Sequence, residues 1–389
     1  MTTGANALVS VPSTATSREA IRKVLSGHMP GLDGVRGLAI LLVILHRFSL
    51  VSEETLAGRV FGRATDLGWI GVQLFFVLSG FLITGILLDT RESPNYLGSF
   101  FGRRVLRIFP LYYGTLLVAL VALPLLRGRS EDLFGSPWLW LFLSNWAPEG
   151  DPLFSHFWSL AVEEQFYFAW PFLVRALGPR RLLTFCATLI VVAFLARAAM
   201  VVAGASPESV YRYTICRMDA LAGGAIAAVI MRAPALFERI ERSWRQLVGG
   251  TLGFTLLVFA ATRGAPRTAP TTQTIGYSAL VLAFSLLVAA LIRAEARGEG
   301  FIRHVFGLRP LRTLGKYSYG MYVFHVPIHH FLVSHWPEYT GGREGLDVAR
   351  GLAYALVASL LTLVAAFVSY QLFERRFLAL KSHFVARRA

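Results

Sequence analysis

LDGVRGLAILLVILHRF, residues 32–48, decides how the rest of the chain is read. The run is apolar and long enough to enter a bilayer, yet it carries Asp33, Arg36 and His46. Ionisable groups inside a span are costly, and where they occur they face a protein interior or a polar cavity. The stretch therefore reads as a membrane helix that bears part of a functional site.

Working outward, the same apolar texture recurs along the chain. Of 389 residues, 55% are hydrophobic and only 16% are charged, with a mean hydropathy of +0.55. A soluble chain carries about 25% charged residues. Ten apolar runs approach the ~20 residues that a bilayer core demands. They fall at about 32–52, 68–88, 108–127, 157–176, 181–203, 214–231, 246–262, 273–293, 314–335 and 350–373. The expected fold is all-α: a polytopic membrane protein of about ten transmembrane helices. Residues 133–146 are aromatic-rich and too short to span, so they are expected to lie at the interface or to re-enter the membrane. Residues 1–30 read as a mobile arm, 31–375 as the membrane domain and 376–389 as a basic C-terminal tail. The run from Leu32 is too long for a signal-peptide core and lacks a small-residue cleavage site, so no signal peptide is expected before it.

A net charge of +15 has two readings: a nucleic-acid surface or the basic excess of cytoplasmic loops. Loop parity separates them. With the N-terminus inside, 25 of the 38 Lys and Arg fall on inner segments and 10 on outer loops. An N-in, C-in orientation in the cytoplasmic (inner) membrane follows, and no nucleic-acid partner is expected. Cys186 and Cys216 sit in or beside apolar runs and match no metal or disulfide pattern, so they read as small packing residues.

Arg36 and His46 are ten positions apart, about 15 Å along a helix. A histidine at mid-membrane is mostly neutral at working pH and suits a general base; the plainer role is a bond between helices. SLAVEEQFYFAWP, residues 159–171, puts Glu163 and Glu164 several residues inside another span. Glu163 lies at a depth similar to His46, so a hydrogen-bonded His46–Glu163 pair is expected. Tyr167 shares the Glu163 face, whereas Glu164 points about 100° away, toward an interface. In GVQLFFVLSGFLIT, residues 71–84, the Ser79–Gly80 step suits close helix approach; a nucleophile elbow is absent around Ser79. Arg103, Arg104 and Arg107 precede the third span, where positive-inside anchoring and bidentate phosphate binding both fit. Arg217 and Asp219 read as an internal ion pair. His325 lies midway through the ninth span, with His329 and His330 nearer its outer end. No carboxylate is in register with these histidines, so no metal is expected.

LDGVRG…H, FFVLSGFLIT, RRVLRIFPLYY, SLAVEEQFY and SYGMYVFH, taken in this order, resemble the acyltransferase type 3 family of integral membrane O-acyltransferases. The likeness covers roughly residues 30–375. It implies transfer of an acyl group, acetyl above all, from acyl-CoA on the cytoplasmic side to a hydroxyl of a carbohydrate, lipid-linked glycan or small natural product. Acyl-CoA would be the donor substrate, with no bound cofactor and, for transfer outside the cell, a separate extracytoplasmic esterase-like partner. The resemblance implies His46 and Glu163 as catalytic residues and Arg36, Arg103, Arg104 and Arg107 as acyl-CoA binders; Ser79, Tyr167 and His325 read from their positions as further substrate-binding candidates. The family places ten residues between that Arg and His; here nine intervene, which turns His46 by about 100°. His325 is then the second candidate. A proton-coupled transporter or flippase using the same residues is the alternative.

Overall fold

The computed structural model describes residues 14–128, 133–148, 151–262, 264–336, 340 and 346–386. Among them, ten helices have 18 residues or more. In chain order these are α1 (Pro30–Arg47), α2 (Ile70–Asp89), α3 (Tyr96–Leu117), α4 (Trp158–Ala176), α5 (Pro179–Val202), α6 (Thr214–Arg232), α7 (Trp244–Ala261), α8 (Tyr277–Arg297), α9 (Arg309–His335) and α10 (Val348–Ser369). Their starts follow simple chemistry. Pro30, Pro179 and Pro310 occupy first turns, where a missing N–H costs nothing. The Asp347 carboxylate caps α10 by accepting from the Arg350 amide.

The ten apolar runs all fold as helices, but they are not equally apolar. Six helical segments among the described residues are long and apolar enough to cross a membrane: Leu56–Asp89, Tyr96–Leu126, Pro179–Val202, Pro207–Arg232, Thr272–Arg297 and Val348–Phe384. A seventh is reached if Arg18–Ser26 and Pro30–Arg47, bent by 64°, count as one. The expected ten spans are thus met by six or seven. α4 carries a glutamate pair and α9 several histidines, while α7 opens on Trp244-Arg245-Gln246. Large apolar side chains on the outer faces of α5, α7 and α10, such as Leu195, Leu256 and Leu360, are exposed. The molecule is a multi-pass membrane protein.

Glycines set the closest helix contacts, as expected where backbones must approach without a water-driven force. An added methyl at Gly37 would fall on the Leu311 carbonyl, and one at Gly315 on that of Asp33. Farther along, Phe48 stacks on His329 at 5.8 Å. α1 and α9 therefore run parallel. Likewise Gly80 meets the Leu221 backbone and Gly224 that of Val77, and Arg232 pairs with Asp89 at 2.7 Å. This binds α2 to α6, again in parallel.

The aromatic stretch 133–148 packs inward on α3 and α4. Tyr112 donates to the Leu139 carbonyl at 2.7 Å, and Gln165 donates to Asn145 at 2.8 Å. At the opposite end, the C-terminal segment folds back. Asn95 donates to the Val385 carbonyl at 2.9 Å, and Phe384 seats against Gly102.

Candidate active site

Five helices leave a cavity between them, with about 750 Å³ of empty space counted to its open mouth. α4 presents a stripe at four-residue spacing, Ser159, Glu163 and Tyr167, because such positions share one helix face. α2 adds Ser79 from the middle of its length. Arg36 comes from α1, Arg104 and Arg107 from α3, and Tyr319 and Tyr322 from α9. A larger groove between α3, α9 and α10 is mainly apolar and holds none of these groups.

The polar contacts form two linked sets. Ser79 Oγ donates to Glu163 Oε1 at 2.5 Å and accepts from the Tyr167 hydroxyl at 3.0 Å. The Arg104 guanidinium lies over the Tyr167 ring at 4.8 Å, close enough for a cation–π contact. Arg36 holds Asp33 at 3.5 Å. In the second set, the Ser159 and Tyr322 hydroxyls are 2.5 Å apart, and both reach the His156 carbonyl, at 3.3 and 2.9 Å. His325 Nδ1 bonds the Tyr322 carbonyl at 2.6 Å, and its ring meets that of His156 edge-on at 4.8 Å. A carboxylate held by a hydroxyl, facing three guanidinium groups, can accept a proton and stabilise developing negative charge.

The chain matches the family described as an acyltransferase domain over residues 29–372. It belongs to the acyltransferase type 3 family. Relatives of this family member include the peptidoglycan O-acetyltransferase OatA of Listeria monocytogenes, 30% identical over 77% of this chain and 49% of its own. The putative peptidoglycan O-acetyltransferase YrhL of Bacillus subtilis is 31% identical, over 77% and 48%. The O-acetyltransferase OatA of Staphylococcus aureus is 27% identical, over 89% and 57%. The chain spans about half the length of the curated relatives it matches. No solved structure matches it.

In this acyltransferase-family protein, Arg36, Ser79, Arg104, Arg107, Glu163 and Tyr167 converge on the cavity. Other sequence expectations are corrected. His46 is not paired with Glu163: its Nδ1 bonds the Thr65 carbonyl at 3.2 Å and lies 3.9 Å from Asp66. Ten steps of about 100° leave it on a different side of α1 from Arg36, where Gly68 packs against it. Arg103 is exposed and outside the cavity lining, one step from Arg104 on the same helix. Glu164 lines the cavity with Glu163 instead of facing an interface, and its Oε1 is buried with no hydrogen-bond partner among the described residues.

Arg217 and Asp219 do not pair either. Residues two apart on a helix point to nearly opposite sides. Asp219 accepts from Arg197 at 2.7 Å, while Arg217 bonds Gln73 and sits over the Tyr277 ring at 4.6 Å. His325 stands one layer behind Tyr322 and does not itself line the cavity. Sequence reading passed over Ser159, Tyr319 and Tyr322. The four-residue stripe of α4 and the close Ser318–Tyr319–Tyr322 spacing were the signals that would have found them.

Proposed function

We propose that this protein is a membrane O-acyltransferase that takes an acetyl group from acetyl-CoA at the cytoplasmic face and delivers it to a carbohydrate hydroxyl. In this reading all ten long helices span the cytoplasmic membrane, with both termini inside, as the loop charges favour. Peptidoglycan is the acceptor suggested by the relatives' names, and a separate extracytoplasmic esterase-like partner completes transfer outside the cell. The observation that carries the reading is the meeting of Glu163 and Ser79 with Arg36, Arg104 and Arg107 in one cavity. The arginines neutralise the coenzyme's phosphates, with Arg104 and Arg107 donating bidentately. Lys381, on the returning C-terminal segment, has its pKa pulled down to about 8 by burial and by the charges of Arg107 and Arg104, so it is a weakly held further cation on this face. Glu163 accepts the hydroxyl proton, the role assigned from sequence to His46.

The test is acetyl transfer from labelled acetyl-CoA in membranes carrying single variants. Glu163→Gln lowers transfer by about 10²- to 10⁴-fold, the worth of a positioned base. His46→Ala costs less than about tenfold. Full activity in Glu163→Gln ends the mechanism, and substrate movement without acetyl-CoA consumption ends the enzyme reading in favour of a transporter.

A further inference from the structure

We propose that Ser79 is a covalent acyl carrier, which takes the acyl group from the donor thioester as a serine ester and passes it to the acceptor hydroxyl. The proposal deepens the acyltransferase reading above and rests on it.

Several mid-helix hydroxyls in this chain satisfy themselves on the carbonyl four residues back, although Thr84, Ser278 and Ser285 do not. Thr115 bonds Leu111, Thr255 bonds Thr251 and Thr362 bonds Ala358, at 2.7–2.8 Å. That local bond is the default for a helical Ser or Thr. Ser79 departs from it: its proton is directed at the Glu163 carboxylate, and its oxygen accepts from Tyr167. A hydroxyl, a base within hydrogen-bond reach and a third group orienting them make the arrangement of an activated nucleophile. Ser79 is also one of the few partly exposed positions midway along α2, and its exposure is to the cavity. A bond serving only to join two helices has no need of that opening.

The position of Ser79 between two polar sets supports a relay. Along the α4 stripe Ser159 meets Tyr322, Glu163 meets Ser79 and Tyr167 meets Arg104, each step of four residues being about 6 Å. A donor anchored on the arginines and an acceptor hydroxyl arriving past Tyr322 reach Ser79 from opposite sides, in turn. A covalent carrier is what allows the two to be bound at different times.

The steps balance without a co-reactant. Ser79 Oγ gives its proton to Glu163 and bonds the thioester carbon; the carbon–sulfur bond breaks, and the leaving thiolate takes the proton from Glu163. The acceptor hydroxyl then gives its proton to Glu163 and bonds the acyl carbon. The Ser79 ester bond breaks, and Ser79 recovers the proton. Arg36 and Arg104 face the space where each tetrahedral oxyanion forms.

Membranes containing the full chain are incubated with acetyl-CoA labelled in its acetyl group, without acceptor, then quenched in acid. The expected result is label on the chain and one added acetyl group on the peptide containing Ser79. Ser79→Ala falls to background. Ser79→Cys carries label that neutral hydroxylamine removes, as a thioester requires, which also establishes that the substituted site folds. Glu163→Gln slows labelling by about 10²- to 10⁴-fold. A soluble N-acetylglucosamine–N-acetylmuramic acid oligosaccharide serves as acceptor in a second arm. If it is acetylated while Ser79 carries no label, or at the wild-type rate by Ser79→Ala, the carrier is overturned and the acyltransferase reading stands. If acetyl-CoA is not consumed in either arm, both fall.

Discussion

Asp219→Ala removes the carboxylate from a fully buried ion pair, and the structure sets how much that costs. Arg197 Nη1 bonds both Asp219 Oδ2 and the Cys216 carbonyl at 2.7 Å, and Nη2 bonds Ser278 at 2.8 Å. Neither member of the pair has solvent-exposed side-chain surface. Breaking such a pair leaves a buried charge without its counterion and costs about 3–5 kcal/mol. Arg197 keeps two acceptors and the Tyr277 ring, 5.6 Å away, so the lower end, about 3 kcal/mol, is expected. That lowers the apparent melting temperature of the detergent-solubilised protein by roughly 5 °C. A double-mutant cycle is the sharper assay, because coupling appears only between residues that share a contact. The Arg197–Asp219 cycle should give at least about 1.5 kcal/mol, and the Arg217–Asp219 cycle under about 0.5 kcal/mol. Coupling concentrated on Arg217 would refute the reasoning and restore the pairing expected from sequence.

The arginine block separates by helix face: Arg104→Ala and Arg107→Ala should each raise the KM for acetyl-CoA about tenfold or more, as for a lost charge-assisted bond. Arg103→Ala should leave it within about threefold, and an equal effect of all three would contradict the assignment. Gly80→Ala drives a methyl onto the Leu221 carbonyl and should cost about 1–3 kcal/mol in thermal unfolding. Gly98→Ala, which meets nothing within 4 Å, is the matched comparison and should cost nothing, with a gain of up to about 1 kcal/mol from helix propensity. Gln73→Glu gives the buried Arg217, whose Nε and Nη1 have no partner among the described residues, a carboxylate. It should raise the melting temperature, by the worth of a charged bond of about 1.5–3 kcal/mol; a fall would count against the unmet charge.

Helix positions were legible because apolar run length is a one-dimensional property, and each of the ten runs became a helix. Facing was legible only over short intervals. Glu163 and Tyr167 are four apart and stayed on one side, as did Arg104 and Arg107 at three apart. Over the ten residues from Arg36 to His46, depth could be read but direction could not, and the imidazole turned to Thr65. Partners between helices were the least legible. Arg217 and Asp219 looked paired because they are neighbours in the chain, yet each found its partner on another helix, Gln73 on α2 and Arg197 on α5. Ser79 was legible as a tight-packing position, and Gly80 fulfils that role; its bond to Glu163 depends on the register between α2 and α4.

The fold-back that seats Phe384 on Gly102 and ties Val385 to Asn95 bears on how the protein is handled at the bench. Proteolytic clipping of this segment during purification would uncover Gly102 and take Lys381 away from the arginines of α3. Intact mass is therefore the measurement to make before kinetics from two preparations are compared.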